Sequence, residues 1–375
     1  MKRSILGTTA LVAVGVIGAT PADAKIELGL SGYMNTYFSV ASIDEGDNDP
    51  QDFNPTGIFS DGEVHFTGEV TLDNGITFGA NVQLEMFGDA NGTDNIDEKF
   101  AYMESSFGRI VAGSEDSAAY IMHYAAPYAG LPVNSGWVTV FIPANPDSST
   151  AFQHPGVSTY IDWGSDENVI TYYTPRFWGF QLGVTYAPTL AGNGDGKNFP
   201  VEADTETEYN NGVAVGLNYV EDFNGFGVAA SVGWRWAQAS DFISDLGFDD
   251  YQAISAGLQL SYAGFTIGGS YANEYDGMVS SDGIDSFSTE GQSWDAGATY
   301  NIGPWTFGVT YFQGEVEDDV ADPDDDEMWA IQGGVYYAIG PGITLGGGVM
   351  YGDWDAESGF SNTGIAGAVG VGFSF

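Results

Sequence analysis

Apolar and polar residues alternate one by one along stretch after stretch of this 375-residue chain, and none sustains the three-and-four spacing of an amphipathic helix. Successive side chains of a strand point to opposite faces, so each such stretch makes a strand with one greasy side and one small or polar side. In the last of them Ile365, Gly367, Val369, Val371, Phe373 and Phe375 share one face, and Gly364, Ala366, Ala368, Gly370, Gly372 and Ser374 the other. The same pattern runs through Ile26–Val40, Val64–Leu72, Ile76–Met86, Phe180–Tyr186, Val213–Tyr219, Val228–Trp236, Ile254–Tyr262, Phe265–Tyr271, Trp294–Tyr300, Trp305–Tyr311, Trp329–Tyr337 and Ile343–Tyr351. In most of these the apolar set begins or ends on Trp, Tyr or Phe.

Only residues 5–20 form a long apolar run. It follows Met1, Lys2 and Arg3 and precedes Ala22, Asp23 and Ala24, so residues 1–24 are expected to be a secretory signal cut before Lys25. With no helical span after it, the structure that satisfies every backbone group in lipid is a closed barrel. Its outward sets would face lipid, and its ring-bearing strand ends would lie at the headgroups. Shorter strands near 99–106, 109–114 and 167–174 bring the count to about 16, the even number bacterial barrels prefer. The expectation is an all-β transmembrane antiparallel barrel over residues 25–375, with both termini and the short turns on the periplasmic side. Phe375 is the terminal aromatic of its closing strand. Small or smooth outward positions (Gly32, Ala80, Gly367) suit packing on a neighbouring copy.

One connection departs from the hairpin pattern. Residues 114–166 run some fifty positions between two strands, and a connection so long is usually functional or disordered. Its Tyr120, Ile121, Met122, Tyr124, Tyr128, Trp137, Phe141, Phe152 and Tyr160 need a surface to pack on, so it is expected to fold back into the lumen.

The stretch Phe107–Gly113 (FGRIVAG), the long third loop and the stretch Tyr172–Pro188 resemble the general diffusion porins of Gram-negative bacteria, nearest to their neisserial and alphaproteobacterial branch. The resemblance spans residues 25–375. It implies a trimeric 16-stranded barrel in the outer membrane, among lipid and lipopolysaccharide, whose third loop narrows each pore and sets carboxylates against basic residues on the wall. The tip motif of enteric porins is absent, and Ser114 stands where this branch often has a basic residue.

Charge then points to selectivity. The signal takes two of eight basic and one of 52 acidic side chains, which leaves 8 − 2 = 6 basic and 52 − 1 = 51 acidic, net −45. The basic six are Lys25, Lys99, Arg109, Arg176, Lys197 and Arg235, of which only Lys99 and Arg235 are expected near the waist. Against them stand Glu115, Asp116 and Asp147 of the long connection as constriction carboxylates. Glu63, His65, Glu69, Glu85 and Asp295 are expected on the lumen wall. A narrow acidic pore concentrates cations and repels anions, so a cation-preferring diffusion channel for ions and small hydrophilic solutes is expected. The alternatives are a channel with saturable binding of a sugar or other nutrient, a plugged structural or adhesive barrel, and acidity that serves only a saline-habitat surface.

No cofactor is expected to be required. Asp324, Asp325 and Asp326 offer oxygen ligands of the kind Ca²⁺ takes, without the spacing of a defined calcium loop. The absence of cysteine excludes disulfides and thiol chemistry. The acidity excludes nucleic-acid binding, and no nucleophile elbow, metal-ligand pair or phosphate-cradling loop points to an enzyme.

Overall fold

The computed structural model describes residues 12–13, 25–45, 53–87, 96–135, 138–142, 156–163, 167–190, 209–245, 248–276, 279–281, 286–288, 290–319, 322–355 and 361–375. Nineteen strands form one sheet, of which three are fragments of two or three residues, leaving 19 − 3 = 16 for the barrel. These are β1 (Glu27–Glu45), β2 (Thr56–Thr71), β3 (Thr77–Glu85), β4 (Lys99–Ser105), β5 (Gly108–Ser114), β6 (Asn168–Tyr173), β7 (Phe180–Thr189) and β8 (Tyr209–Phe223). The second half comprises β9 (Phe226–Ala239), β10 (Tyr251–Tyr262), β11 (Phe265–Asp276), β12 (Gly291–Ile302), β13 (Trp305–Asp319), β14 (Asp322–Gly340), β15 (Ile343–Asp355) and β16 (Ser361–Ser374). Each pairs antiparallel with its neighbours, and β16 closes on β1 from Asn362↔Glu45 to Ser374↔Tyr33. Phe375 completes the seam: its N–H and C=O exchange hydrogen bonds with Gly32 at 3.0 and 2.9 Å. Closure removes both sheet edges, which lipid would not tolerate.

Tight turns gather at the end that holds Phe375. Asn224 and Gly225 have φ of 57° and 93°, the doubly left-handed geometry whose twist matches that of the flanking strands. The expected signal segment lies outside the described residues except Val12–Ala13, which pair with Leu30 and Gly29 of β1.

The outward faces are those the alternation marks. Phe180, Leu182, Val184 and Tyr186 are all exposed, as are Phe265, Ile267, Tyr271, Trp305, Phe307, Val309, Leu345, Val349 and Tyr351. Ring contacts form bands at two levels. Toward the turn end, Phe180 meets Tyr219 at 4.7 Å, Phe265 stacks on Tyr300 at 4.2 Å, and Trp305 meets Tyr337 at 4.5 Å. Toward the loop end, Trp294, Tyr311, Trp329 and Tyr351 form a chain with centroid spacings of 4.9, 6.2 and 5.6 Å. An apolar wall between two aromatic girdles is the surface a bilayer requires.

Candidate functional site

The described parts of the segment between β5 and β6 lie against the inner faces of nine consecutive strands. The segment opens with α1 (Ala118–Ile121), capped by Ser117, then runs extended to Leu131, turns through α2 (Val138–Phe141) and returns through residues 156–163. Each strand from β7 to β15 presents a glycine to it or to its flank: Gly183, Gly216, Gly233, Gly257, Gly268, Gly297, Gly308, Gly334 and Gly348. A Cβ at Gly216 would collide with the Ala118 carbonyl, one at Gly257 with the Tyr124 carbonyl, and one at Gly308 with the Ala129 backbone. The glycines thus form a groove that admits a backbone.

Neighbouring wall side chains satisfy the peptide groups buried there, as any buried backbone demands. Thr185 accepts from Ala118 N at 2.9 Å, Ser231 from Tyr124 N at 2.9 Å and Asp295 from Ala126 N at 2.9 Å. Gln259 donates to Ala125 O at 2.6 Å, Thr310 to Pro127 O at 3.0 Å, and Tyr336 to Gly130 O at 2.9 Å.

Two apolar clusters hold the rest. Leu131, Val138, Phe141, Ile142 and Val157 pack on Phe312, Met328, Met350 and Trp354 of β13–β15. At the other end Ala119, Ile161 and Trp163 pack on Ala187, Tyr209 and Tyr251. The first cluster reaches across the barrel, where Phe59 of β2 meets Tyr37 at 5.0 Å and Phe141 at 5.1 Å.

Arg235, expected near the waist, is instead fully buried. Its guanidinium donates to Ser117 Oγ at 2.9 Å and to Asp162 Oδ1 at 2.8 Å, and lies 4.7 Å from the Trp163 ring. It joins the outgoing and returning ends of the segment. Lys99 is also displaced from the expected position: it pairs with Val82 and Ser114, on the face of Phe66 and Val82 that looks away from the lumen. Asp295, expected on the lumen wall, is 3% exposed. It accepts from Ala126 N, Asn134 Nδ2 and both Ser270 N and Oγ, which makes it an anchor of the segment.

His123 stands behind this anchor, with Nε2 3.2 Å from Thr159 Oγ1 and its ring 4.8 Å from that of Tyr160. Burial pushes its imidazole down to about 4. Between that value and the ordinary one of about 6.5, the unfolded chain holds a proton that the folded segment refuses. Stability is therefore expected to fall as pH drops through this window and to lose nothing further from His123 below it. Melts of the His123→Gln variant, followed by near-ultraviolet circular dichroism, are expected to lack this component of the pH slope.

The opposite wall is acidic. Glu63 accepts from Tyr33 at 3.2 Å and pairs with His65 at 2.7 Å, while Glu69 accepts from Tyr102 at 2.5 Å. Carboxylate oxygens of Glu63, Glu85 and Asp97 lie within 4.8 Å of one another, a hard-oxygen group of the kind that holds divalent cations. Just before β4, burial and then the charges of Glu115, Asp97 and Glu63 push the Glu98 carboxyl well above the usual carboxylate range. Asp61 adds its charge beside Glu63, hydrogen-bonded to Tyr33 and Asn35.

Asp116 lies near Tyr120 and Tyr173. Asp147 falls outside the described residues. Asp324, Asp325 and Asp326 are consecutive residues of the extended strand β14, with Asp325 and Asp326 paired to Glu317 and Val316 of β13. Asp61 and Glu98 were missed from the sequence, although Asp61 has the inward parity of Glu63 and Glu98 the parity of Tyr102.

A closed 16-stranded barrel with an apolar, aromatic-girdled exterior and a polar interior is a transmembrane β-barrel. The family model of Gram-negative porins matches residues 7–357, and the chain belongs to that family. It is thus an outer-membrane channel protein rather than an enzyme. No curated protein matches in sequence. Among solved structures, the anion-selective porin of Comamonas acidovorans is similar at 15% identity and a TM-score of 0.60, over 93% of this chain and 100% of that one. OmpF of Salmonella typhi in complex with daunomycin gives 15% and 0.60, over 93% and 98%. The trimer form of OmpT from Vibrio cholerae gives 12% and 0.55, over 94% and 100%.

Proposed function

We propose that this porin is a cation-preferring diffusion channel for ions and small hydrophilic solutes, narrowed by residues 114–166. The observation that carries this is the acidic wall of Asp61, Glu63, Glu69 and Glu85, extended by Asp97 and Glu115. The apolar clusters lie against β6–β16 and reach Phe59 of β2, and the acidic wall of β2–β4 faces the near limb of the segment across the remaining lumen. Among the described residues, Arg235 is buried in its ion pair and Lys99 faces outward, so neither offsets these carboxylates. Low-dielectric walls magnify the field of such a ring. Selectivity varies on this fold, as the anion-selective Comamonas porin shows, so its sign here rests on the wall.

The loop tyrosines favour diffusion over a stacking track for sugars: Tyr120 and Tyr160 pack on each other at 5.0 Å. The trimeric OmpT neighbour supports a homotrimer, with the outer faces against lipid and lipopolysaccharide and the termini on the periplasmic side. The first residue after signal cleavage is then Lys25, and no cofactor is required.

The triple variant Glu63→Gln, Glu85→Gln, Glu115→Gln tests the assignment. Its zero-current potential in a tenfold KCl gradient is expected to move most of the way toward zero from a wild-type value approaching the single-charge limit of about 59 mV. An unchanged potential would remove these residues from the filter.

A further inference from the structure

Two of the six basic side chains in residues 25–375 converge on one place. Arg109 and Arg176 line a cavity of about 660 Å³ between the underside of α1 and the turn end of the barrel, shared with Glu104, Glu115, Tyr124 and Tyr173. Arg176 is held rigid by donating to Gly179 O at 2.6 Å, Gln181 Oε1 at 2.9 Å and Asn218 Oδ1 at 2.8 Å. Arg109 lies 4.3 Å over the Tyr102 ring, and its nearest carboxylate, Glu104, is 4.0 Å away, too far for a hydrogen bond. Its buried Nε and the buried hydroxyl of Tyr173 have no protein partner among the described residues. Among the 52 − 1 = 51 acidic side chains of residues 25–375, a site that assembles two guanidinium groups and leaves one poorly paired is built to meet an anion.

We propose that this cavity is a subsite for small zwitterionic solutes, α-amino acids in chemical class. The solute carboxylate is received by Arg109 with Tyr173 and Arg176, and its ammonium group by Glu104 and Glu115. Guanidinium forks match carboxylates in geometry, and a charged acceptor strengthens each bond. The choice of a zwitterion over a free anion rests on the cation-preferring reading. A bare carboxylate is repelled at the acidic wall, whereas a solute that carries its own ammonium passes with no net charge.

The test uses the trimer of residues 25–375 in proteoliposomes, with three probes of similar size: L-alanine, lactate and glycerol. Wild-type alanine influx is expected to saturate and to exceed lactate influx. Arg109→Gln is expected to raise the half-saturating alanine concentration about tenfold, the loss of one charge-assisted hydrogen bond, while glycerol influx stays constant and shows the barrel folded and open. Arg109→Lys retains the charge and is expected to fall between them; it replaces Arg109→Gln as the comparison if glycerol influx is lost. Alanine influx linear in concentration, or unchanged by substitution of Arg109, would overturn the subsite. Lactate that saturates and outruns alanine would overturn the zwitterion class. The zero-current potential of the same preparation judges cation preference separately, so a saturable, Arg109-dependent alanine influx at zero potential would keep the subsite and discard that reading.

Discussion

Replacing Arg235 by Met is expected to release both ends of the inserted segment while leaving the barrel closed. The guanidinium contacts Ser117 at the start of the segment and Asp162 and Trp163 at its end. Removing it leaves Asp162, half-buried and still accepting from Trp163 N at 2.7 Å, without its counter-charge, a loss of about 1.5–3 kcal/mol. The strand ladders do not depend on it, since Trp234 and Trp236 still pair with Val215 and Val213 on one side and with Ile254 and Gln252 on the other. Single-channel records should show a larger mean conductance with added open-state noise, at an unchanged circular dichroism spectrum. Adding Asp162→Asn to Arg235→Met should restore part of the quiet record, because the stranded charge is gone. A quiet, wild-type conductance from Arg235→Met would show that the glycine groove and apolar clusters hold the segment without the clamp.

The second large effect is expected from Gly257→Val. Its Cβ would occupy the position of the Tyr124 carbonyl, and Ser231, which holds the Tyr124 N–H, sits across from Gly257 in the ladder. The segment must lift off β10 or the wall must bulge, a strain of about 1–3 kcal/mol or more when backbone rather than a flexible side chain is struck. Limited proteolysis should then cut the 118–131 stretch faster than in wild type. Gly340→Val is the control, because nothing stands within 4 Å of its added Cβ.

The barrel is legible in the sequence because its two signals are local. Period-two alternation assigns faces, as in Phe180–Tyr186, and the turn residues set the hairpins, so strand number and closure follow without long-range information. What covers an inward face is not local. Arg235 has inward parity between Trp234 and Trp236, but its partners Ser117 and Asp162 lie 118 and 73 residues away. The glycines of β7–β15 read as small lumen residues until the register aligns them into a groove. One available signal went unused: Phe312, Met328, Met350 and Trp354 occupy inward positions, and large apolar side chains there imply a lid packed on them. Lys99 was ambiguous because the short β4 offers little alternation, and only pairing with Val82 fixes its face.

The most direct test of the account is the zero-current potential of the refolded protein from Lys25 onward in a planar bilayer under a KCl gradient. Stable step conductance with a strongly cation-selective potential is the predicted result. Step conductance with a potential near zero, or of the anion-selective sign, would contradict the acidic-wall filter.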